Sequence, residues 1–368
     1  MLSFRVSQLA TAVLSCLTAA ACQRASVDST GSAIRNGSPT TDHPAVVAVA
    51  VARSACGARF IPACTGVLVA PRVVLTAAHC VLGADVNRYE VYFGSDASGG
   101  GAILRGSARR HPAYDPATHD FDFGAVLLDE PATAAPLPIA TRLPDVGATL
   151  TLVGFGVVEV TGAPDGLKRA GTATLSAIEP YDLRMTPSPS ITCSGDSGGP
   201  VLATDPAGVE VVVGISSWGD SACVSFGVAG RTDAAGAFLA PILDEAATPP
   251  PVRVPLTEGT NLCGAACTTA DDCPAGTVCQ LSSDGQFCQL PGFGRGIVGA
   301  TCSDGDGCAY CVRVASADSD ACRCVRLCPS SPTPMHGGCS GAGPTPSSSP
   351  IQFLILALSV GLTRRKGK

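Results

Sequence analysis

The sequence has little charge and no cluster of basic residues. Charged residues make up 15% of the 368 residues, and the formal net charge is −6. Proteins that bind nucleic acid carry a basic patch that matches the phosphate backbone, so this composition predicts no nucleic-acid partner. The apolar fraction of 46% excludes a disordered protein. We expect one large or two smaller domains with a buried core.

The sequence also lacks a hydrophobic run long enough for a membrane-spanning helix, which needs about 20 residues. The first run, from Leu9 to Ala21, follows a single Arg5 and ends in small residues. This pattern is typical of a secretory signal peptide, here residues 1–21. Because Cys22 follows directly, ordinary cleavage after Ala21 and lipoprotein-type processing at Cys22 both stay open.

The second run lies in residues 351–368, where about twelve apolar residues precede the basic ending TRRKGK. Residues 330–350 are almost wholly Pro, Ser, Thr and Gly, which predicts a flexible or extended linker. This C-terminal region resembles the three-part sorting signals of myxobacterial type, which are processed near a cysteine. It contains the linker with Cys339, the apolar segment and the basic tail. Whether the tail is removed or kept as a weak anchor, we expect a secreted protein displayed on the cell surface, with outer-membrane anchoring as one form of that display.

Motifs for metal binding are missing. The sequence has five histidines but no H-E-x-x-H, and SDGDGC at Ser303–Cys308 is too short for an EF-hand calcium loop. We therefore expect no metal and no cofactor.

Cysteine is abundant, with 19 residues, which points to disulfides and an oxidising compartment. Eleven of them lie in residues 261–329, which have few large apolar residues and would need disulfides to hold a fold. Zinc is the alternative, but this segment contains no histidine. Because eleven is odd, one sulfur must find its partner elsewhere. We predict a small disulfide-rich module over 261–329, of undetermined connectivity.

Residues 34–246 contain short β-rich runs separated by turn residues, among them AVVAVAV, YEVYF and VEVVVGISSW. Many short strands with turn signals indicate an all-β sandwich or a pair of barrels. The only helical pattern is short, near AFLAPILDEA. Residues 247–260, which include ATPPPVRVP, are predicted to be a proline-stiffened linker.

Three segments of this region could supply serine chemistry, which needs a base beside the hydroxyl, a group that orients the base, and donors for the oxyanion. TAAHC carries His79, DFGAVLL begins with Asp122, and GDSGGP carries Ser197. Asp120, two residues before Asp122, competes for the role of the aspartate.

With these segments, residues 34–246 resemble a chymotrypsin-type serine protease. CTGVLVAPRVVLTAAHC matches the strand before the histidine, HPAYD the segment before the aspartate, and SSWG the strand that pairs with substrate. The resemblance implies two antiparallel six-stranded β-barrels with the active site between them. It also implies a serine endopeptidase that forms an acyl-enzyme from protein or peptide substrates. Ser197 would then be the nucleophile, His79 the general base and Asp122 its partner, because placing Asp120 there would shift FGAVLL out of register.

The same resemblance assigns further residues. The amides of Gly195 and Ser197 would form the oxyanion hole. Disulfides would join Cys64–Cys80 and Cys193–Cys223. Cys56 is then left over, and it either bridges to the odd cysteine of the module or stays a free thiol.

Activation is also implied by the resemblance. In the family, the aspartate equivalent to Asp196 pairs with a new N-terminal amine, and IRNG at Ile34–Gly37 stands where that terminus belongs. Residues 22–33 would be a short propeptide removed by cleavage after Ala33. Alanine departs from the basic residue usual in animal relatives, so either an activating protease that prefers small residues acts here or the enzyme matures itself.

The pocket residue six positions before the nucleophile is Ile191, which offers no charge for a basic substrate residue. Gly219 and Gly227 match the pocket walls, and Ser217 and Trp218 lie on the substrate-pairing strand. We expect an apolar P1 residue, from Ala, Val or Leu up to Phe, with Asp220 facing solvent at the rim.

A second function stays open beside the protease. The molecule could be a catalytically silent protease-fold protein that acts in adhesion or interaction at the surface. In either case the cysteine-rich module would bind substrate or the cell envelope, or act as a spacer.

Overall fold

The computed structural model describes residues 34–52, 56, 60–81, 89–156, 165–249, 252–303, 308, 310–316 and 319–329. The predicted signal peptide, propeptide, C-terminal linker and sorting segment lie outside the described residues. The protein divides into two units, Met1–Cys328 and Pro329–Lys368. The elements below all belong to the first unit. Within the described residues, no helix has both the length and the apolar character needed to cross a membrane.

The first barrel follows a two-residue strand, β1 (Ser38–Pro39), which pairs outside it. Its six antiparallel strands close in the order β2-β3-β4-β7-β6-β5. Valine-rich runs such as VVAVAV are buried along nearly their whole length, as β-branched residues on a closed sheet should be. The strands are β2 (Val46–Val51), β3 (Cys64–Ala70), β4 (Val73–Thr76), β5 (Tyr89–Phe93), β6 (Ala102–Arg110) and β7 (Gly124–Leu128).

The second barrel is built in the same way. Its strands run in the order β9-β10-β13-β12-β11-β8, and pairing of β8 with β9 closes the ring. The strands are β8 (Thr149–Gly154), β9 (Arg169–Ile178), β10 (Asp182–Pro187), β11 (Pro200–Thr204), β12 (Glu210–Gly219) and β13 (Gly227–Arg231). The predicted pair of six-stranded antiparallel barrels is confirmed.

Helix α1 (Gly236–Ala247) follows the second barrel where the sequence predicts a helix. Its buried side chains are Phe238, Leu239 and Ile242. They pack in one apolar cluster with residues of both barrels, such as Leu75 and Val212. The helix therefore fastens the two barrels to each other through burial of apolar surface.

The cysteine-rich module has a hairpin and a three-stranded sheet of order β16-β18-β17. The strands are β14 (Val278–Ser282), β15 (Gly285–Gln289), β16 (Gly296–Thr301), β17 (Cys311–Ser316) and β18 (Ser319–Leu327). Among its described residues, four disulfides lie inside the module: Cys263–Cys328, Cys267–Cys279, Cys273–Cys288 and Cys302–Cys311. Its apolar cluster is small and contains several of these cysteines, so the disulfides take the place of a larger core.

The linker is shorter than the sequence suggests. Helix α1 extends through Ala247, and the polypeptide joins the module at Arg253, well before residue 261. The Arg253 guanidinium donates hydrogen bonds to the carbonyl oxygens of Cys273, Pro274 and Thr277, at 2.7–2.8 Å. Leu256, predicted to lie in the linker, is 2% exposed in the module core.

A disulfide between Cys56 and Cys322 joins the module to the first barrel across 266 residues of sequence. Cys56 lies in the loop between β2 and β3, and Cys322 lies in β18. Of the two fates left open for Cys56, the structure therefore has the bridge and not the free thiol.

The segment GDSGGP packs against the first barrel at a point where only glycine fits. Gly198 has φ +80°, and a Cβ there would lie 2.0 Å from Thr76 Oγ1 and 2.4 Å from the Thr65 carbonyl oxygen. Gly147 has φ +94°, but a Cβ there would meet nothing within 4 Å. Both positions need a left-handed backbone, and only Gly198 also needs the empty space.

These two glycines give a matched test of barrel packing. Gly147→Ala should lower the free energy of unfolding by about 1–2 kcal/mol, the cost of a left-handed non-glycine residue. Gly198→Ala should lower it by several kcal/mol more or prevent folding, because backbone atoms must also move. Urea unfolding midpoints measure both effects. Equal losses in the two variants would contradict this packing.

Candidate active site

His79 and Asp122 form a hydrogen-bonded pair in the cleft between the barrels. A short 3-10 turn, Ala78–Cys80, positions His79 after β4, and Asp122 lies just before β7. His79 Nδ1 lies 2.7 Å from Asp122 Oδ2, and the His79 backbone N–H donates to Asp122 Oδ1 at 3.0 Å. The Ser217 hydroxyl donates to the same Oδ2. Asp122 thus fixes both the position and the tautomer of the ring.

The environment of Asp122 keeps it charged. The residue is 1% exposed, and burial by itself raises the pKa of the carboxyl. Hydrogen bonds from the His79 ring and backbone and from Ser217 outweigh burial and hold the pKa below its usual value. The distances also show that Asp122, and not Asp120, is the aspartate that contacts His79.

Aromatic packing supports the loop that carries Asp122. The His111 ring stacks on Phe121 at 4.9 Å between centroids and contacts Phe238 of α1 at 5.1 Å. The His111 backbone N–H donates to the Phe123 carbonyl oxygen at 2.9 Å. Burial lowers the pKa of His111, which keeps this ring neutral within the apolar contact.

Ser197 faces the cleft on a turn that both barrels hold. Thr65 of β3 donates its backbone N–H to the Ser197 carbonyl oxygen and its hydroxyl to the Gly195 carbonyl oxygen, each at 2.9 Å. On the other side, the Gly198 N–H donates to the Ser216 carbonyl oxygen at 2.7 Å. Both Ser197 and His79 lie among the described residues, and the Ser197 hydroxyl makes no hydrogen bond to the His79 ring. Such contacts often shorten only when substrate binds.

Two backbone amides beside Ser197 are open to a ligand. Gly195 has φ +88°, a conformation that glycine adopts without strain. Among the described residues, neither the Gly195 N–H nor the Ser197 N–H donates to a protein acceptor. Paired donors without an internal acceptor suit an oxyanion that forms in a reaction.

Asp196 is fully buried and accepts three backbone hydrogen bonds. Its donors are the N–H groups of Ile34, Cys193 and Gly156, each at 2.9 Å. Burial raises the pKa of Asp196 to about 6 in spite of these three donors. Ile34 itself is 0% exposed and has φ +42°, a strained value for a β-branched residue.

A cavity of about 210 Å³ opens beside Ser197. Of the predicted pocket residues, Ser217, Trp218 and Gly219 line it. The other lining residues are Thr192, Cys193, Ser194, Ser197, Ser216, Asp220, Ser221 and Cys223. The Cys193–Cys223 disulfide belongs to this wall, and the Cys64–Cys80 disulfide lies beside His79.

Ile191 and Gly227 lie behind the cavity wall and do not line it. Ile191 is 1% exposed in the core of the second barrel. A Cβ at Gly227 would lie 2.9 Å from Thr192 Oγ1 and 3.2 Å from Ile191 Cδ1, so Gly227 packs closely against both side chains and a larger residue would crowd them. Thr192 replaces Ile191 as the lining residue at this end.

Asp220 also differs from its prediction, because it lines the cavity instead of facing only solvent. Burial raises the pKa of its carboxyl, but backbone N–H groups of Phe226, Ser225 and Val224 donate to it and hold the pKa below its usual value. The carboxylate therefore organises the loop at the rim of the cavity.

The described cysteines form geometric groups that could hold a metal, but most of their sulfurs are in disulfides. In three of these groups every cysteine is in a disulfide, and one of the three also contains His79. The fourth contains Cys302, which is bonded to Cys311. A disulfide sulfur is not the thiolate that a metal needs.

Sequence reasoning missed two supporting hydroxyls. Ser217 was expected only along the substrate, and its bond to Asp122 becomes visible only in the structure. Thr65 is a buried hydroxyl in the otherwise apolar strand CTGVLVA, and that contrast was the available signal.

Comparison with known proteins agrees with this geometry. Residues 34–235 match the trypsin family model. The sequence is 34% identical over 187 residues to a trypsin-like protease of Streptomyces glaucescens, a match that covers 45% of this protein and 68% of the relative. It is 31% identical over 219 residues to alkaline trypsin B of Manduca sexta, covering 52% and 83%. A trypsin of Saccharopolyspora erythraea is 29% identical over 226 residues, covering 55% and 93%.

The matched residues span both barrels and include His79, Asp122, Ser197 and the described residues that line the cavity beside Ser197. This protein therefore belongs to the trypsin family of serine proteases.

Proposed function

We propose that Ser197, His79 and Asp122 perform the peptide-bond hydrolysis of this serine-type endopeptidase. The observation that carries the proposal is the Asp122–His79 pair beside a serine whose neighbouring amides have no internal acceptor among the described residues. His79 takes the proton of Ser197 as Oγ bonds to the substrate carbonyl carbon, and the amides of Gly195 and Ser197 bind the resulting oxyanion. His79 then gives that proton to the leaving amine as the C–N bond breaks, and water releases the acyl group by the same route.

A fluorophosphonate probe tests this assignment against the silent adhesion protein. With every protein first cleaved so that it begins at Ile34, wild type should be labelled on Ser197, and Ser197→Ala should not be labelled. Asp122→Asn should label far more slowly, because the histidine loses its partner; in well-studied members of the family the same change costs about 10⁴-fold in rate. Asp120→Asn is the matched control and should label like wild type. Absence of labelling in folded wild type would favour the adhesion protein.

The cavity supports an uncharged P1 residue of small to medium size. Among the described residues that line it, only Asp220 is acidic, and its carboxylate is already engaged by backbone amides at the rim. Thr192 and Ile191 pack closely against Gly227 behind one end of the cavity. We propose that this packing favours Ala, Val or Leu over Phe at P1, and that the absence of a free carboxylate among the described lining residues disfavours Lys and Arg.

Short p-nitroanilide peptides with Leu, norleucine or Lys at P1 test this preference. Norleucine and Lys share their length, so the comparison isolates the charge. We expect kcat/KM to be higher for norleucine than for Lys by about 10-fold or more, because the ammonium would lose water without gaining a partner. A preference for Lys or Arg would contradict this assignment.

Cleavage before Ile34 is proposed as the activation step. The Ile34 nitrogen lies 2.9 Å from Asp196 Oδ2, so a new amine there would place a cation directly against this buried carboxylate. Among the described residues, no other cation lies that close to Asp196. Cleavage would also remove the strained torsion at Ile34, since an N-terminal residue has no φ. Both effects stabilise the cleaved form, which makes the uncleaved form a zymogen whose activating protease cuts after Ala33.

The buried Asp196 makes this proposal pH-dependent. In the uncleaved form the pKa of Asp196 is raised to about 6, so ionising it costs stability, by about 3 kcal/mol at pH 7.5. This cost starts to fall as the pH drops below 6, is about 2 kcal/mol at pH 5.5, and is lost only near the unfolded pKa of 3.8. In the cleaved form the ammonium favours the carboxylate, and stability is lost as the pH falls.

We therefore expect the cleaved form to exceed the uncleaved form in stability by more at pH 7.5 than at pH 5.5. Urea unfolding of both forms in a Ser197→Ala background, with a site for a specific protease placed before Ile34, measures the difference. In an Asp196→Asn variant, the difference in stability between the cleaved and uncleaved forms should no longer depend on pH. A difference that is constant with pH in the parent would show that Asp196 does not sense the new terminus.

Secretion and surface display complete the proposal. Seven disulfides among the described residues require an oxidising compartment, which supports export by the predicted signal peptide. The C-terminal segment, like the module, would then contribute to contact with the cell envelope.

A further inference from the structure

The cysteine-rich module is fastened to the protease at two separate points. One is the polypeptide itself at the end of α1, where Arg72 Nη1 of the first barrel donates to the Thr248 carbonyl oxygen at 2.9 Å. The other is the Cys56–Cys322 disulfide, whose two cysteines are 266 residues apart in the sequence. One linker alone would keep the module near the protease but leave it free to reorient, whereas two attachments also restrict its position.

The second attachment point leads directly to the nucleophile. Cys56 lies in the loop that leads into β3, which begins at Cys64. The next residue of this strand, Thr65, donates its backbone N–H to the Ser197 carbonyl oxygen. Cys64 is also bonded to Cys80, the neighbour of His79. The loop that carries Cys56 therefore enters the barrel at the active-site end of β3.

The position of the cavity shows which side of the cleft this is. Ser216, Ser217, Trp218 and Gly219 line the cavity on the second-barrel side of Ser197. Under the proposed function the P1 residue occupies this cavity, so the acyl part of the substrate lies on that side. The leaving amine then departs on the opposite side, toward the first barrel and the Cys64–Cys80 disulfide, whose Cys80 Sγ lies 3.6 Å from the Ser197 carbonyl oxygen.

The attachment within the module is also rigid. Cys322 lies in β18, the central strand of the three-stranded sheet, and its carbonyl oxygen accepts the Cys302 N–H at 2.9 Å. Cys56 is buried, at 9% exposed. The disulfide thus joins a central strand of the module to a buried position in a loop of the protease, and both of its ends are held by the surrounding structure.

From these observations we infer that the module is a steric selector on the leaving-group side of the cleft. This inference rests on the proposed function. The module admits an extended polypeptide after the scissile bond and excludes a folded domain placed close behind that bond. Selection by an obstacle needs no binding chemistry on the module, only bulk held in place.

Mirror-image substrates test the selector. One cleavable peptide is joined to the same small folded domain either before or after the scissile bond, through a spacer of about 4 or about 20 flexible residues, the longer one reaching roughly 25 Å. With the short spacer, wild type should cleave the substrate that carries the domain after the bond more slowly, by about 10-fold or more in kcat/KM. The long spacer should remove the difference.

Two variants separate the tether from general damage. Cys56→Ser/Cys322→Ser should cleave both short-spacer substrates at similar rates, because the module can move away. Cys267→Ser/Cys279→Ser removes a disulfide inside the module, away from the tether, and should keep the wild-type difference. A p-nitroanilide peptide, which has no residues after the bond, should be cleaved equally by all three proteins, which also shows that each is folded.

The comparison of the two short-spacer substrates in wild type tests the selector even if a variant fails to fold. Equal cleavage of the two short-spacer substrates by active wild type would overturn the selector while leaving the protease intact. Absence of both cleavage and fluorophosphonate labelling would instead overturn the proposed function, and the selector with it.

Discussion

The rest of the site depends on one buried carboxylate. Asp196 accepts hydrogen bonds from two distant segments, at Ile34 and Gly156, and from Cys193 in its own turn, and so fixes where the loop of Ser197 lies relative to the second barrel. Burying a charge away from water is costly unless a cation or several donors compensate it. Three amides compensate only in part, since burial still raises the pKa of Asp196 to about 6. In the proposed activation step, an amine at Ile34 would supply the cation that this carboxylate lacks.

That constraint extends to the chemistry of the cleft. Asp196 lies between Gly195 and Ser197, whose amides must point at the same small volume to bind an oxyanion. Thr65 holds the same turn from the first barrel, and Gly198 leaves no room for a Cβ against Thr76. The oxyanion donors are thus held from both barrels. His79 and Asp122 are fixed independently, by Ser217 and by the packing around His111.

Much of this arrangement could be predicted from the sequence because the chemistry needs particular residue types. A serine in GDSGGP, a histidine after a strand and an aspartate before FGAVLL have few alternative explanations when all three occur in one order. The many short β-branched runs indicated a sandwich or a pair of barrels, and the resemblance to chymotrypsin-type proteases selected the barrels. The choice of Asp122 over Asp120 came from the register of FGAVLL relative to that family, and the structure places Asp122 against His79.

What could not be predicted depends on packing across the fold. Ile191 was expected to line the pocket, but the packing of Thr192 and Gly227 decides which residue reaches the cavity, and no local pattern encodes it. The start of the module at Arg253 depends on carbonyl groups that lie about twenty residues downstream. The partner of Cys56 is separated from it by 266 residues, and sulfurs pair by proximity in space rather than by spacing.

The two-point attachment of the module gives the same fold a second constraint. One side of the cleft begins beside a loop that is covalently bound to another folded segment. The disulfides of this protein therefore do more than stabilise a small core, because one of them decides what stands next to the active site.

The central claim is that the active enzyme begins at Ile34 and uses its amine to neutralise Asp196. N-terminal sequencing of the protein that fluorophosphonate labels, isolated from its native source without engineered processing, tests this most directly. The account predicts the sequence Ile-Arg-Asn-Gly and no labelling of molecules that begin earlier. Full labelling of a protein with any other N-terminus would contradict it, because the carboxylate of Asp196 would then support the oxyanion hole without the amine.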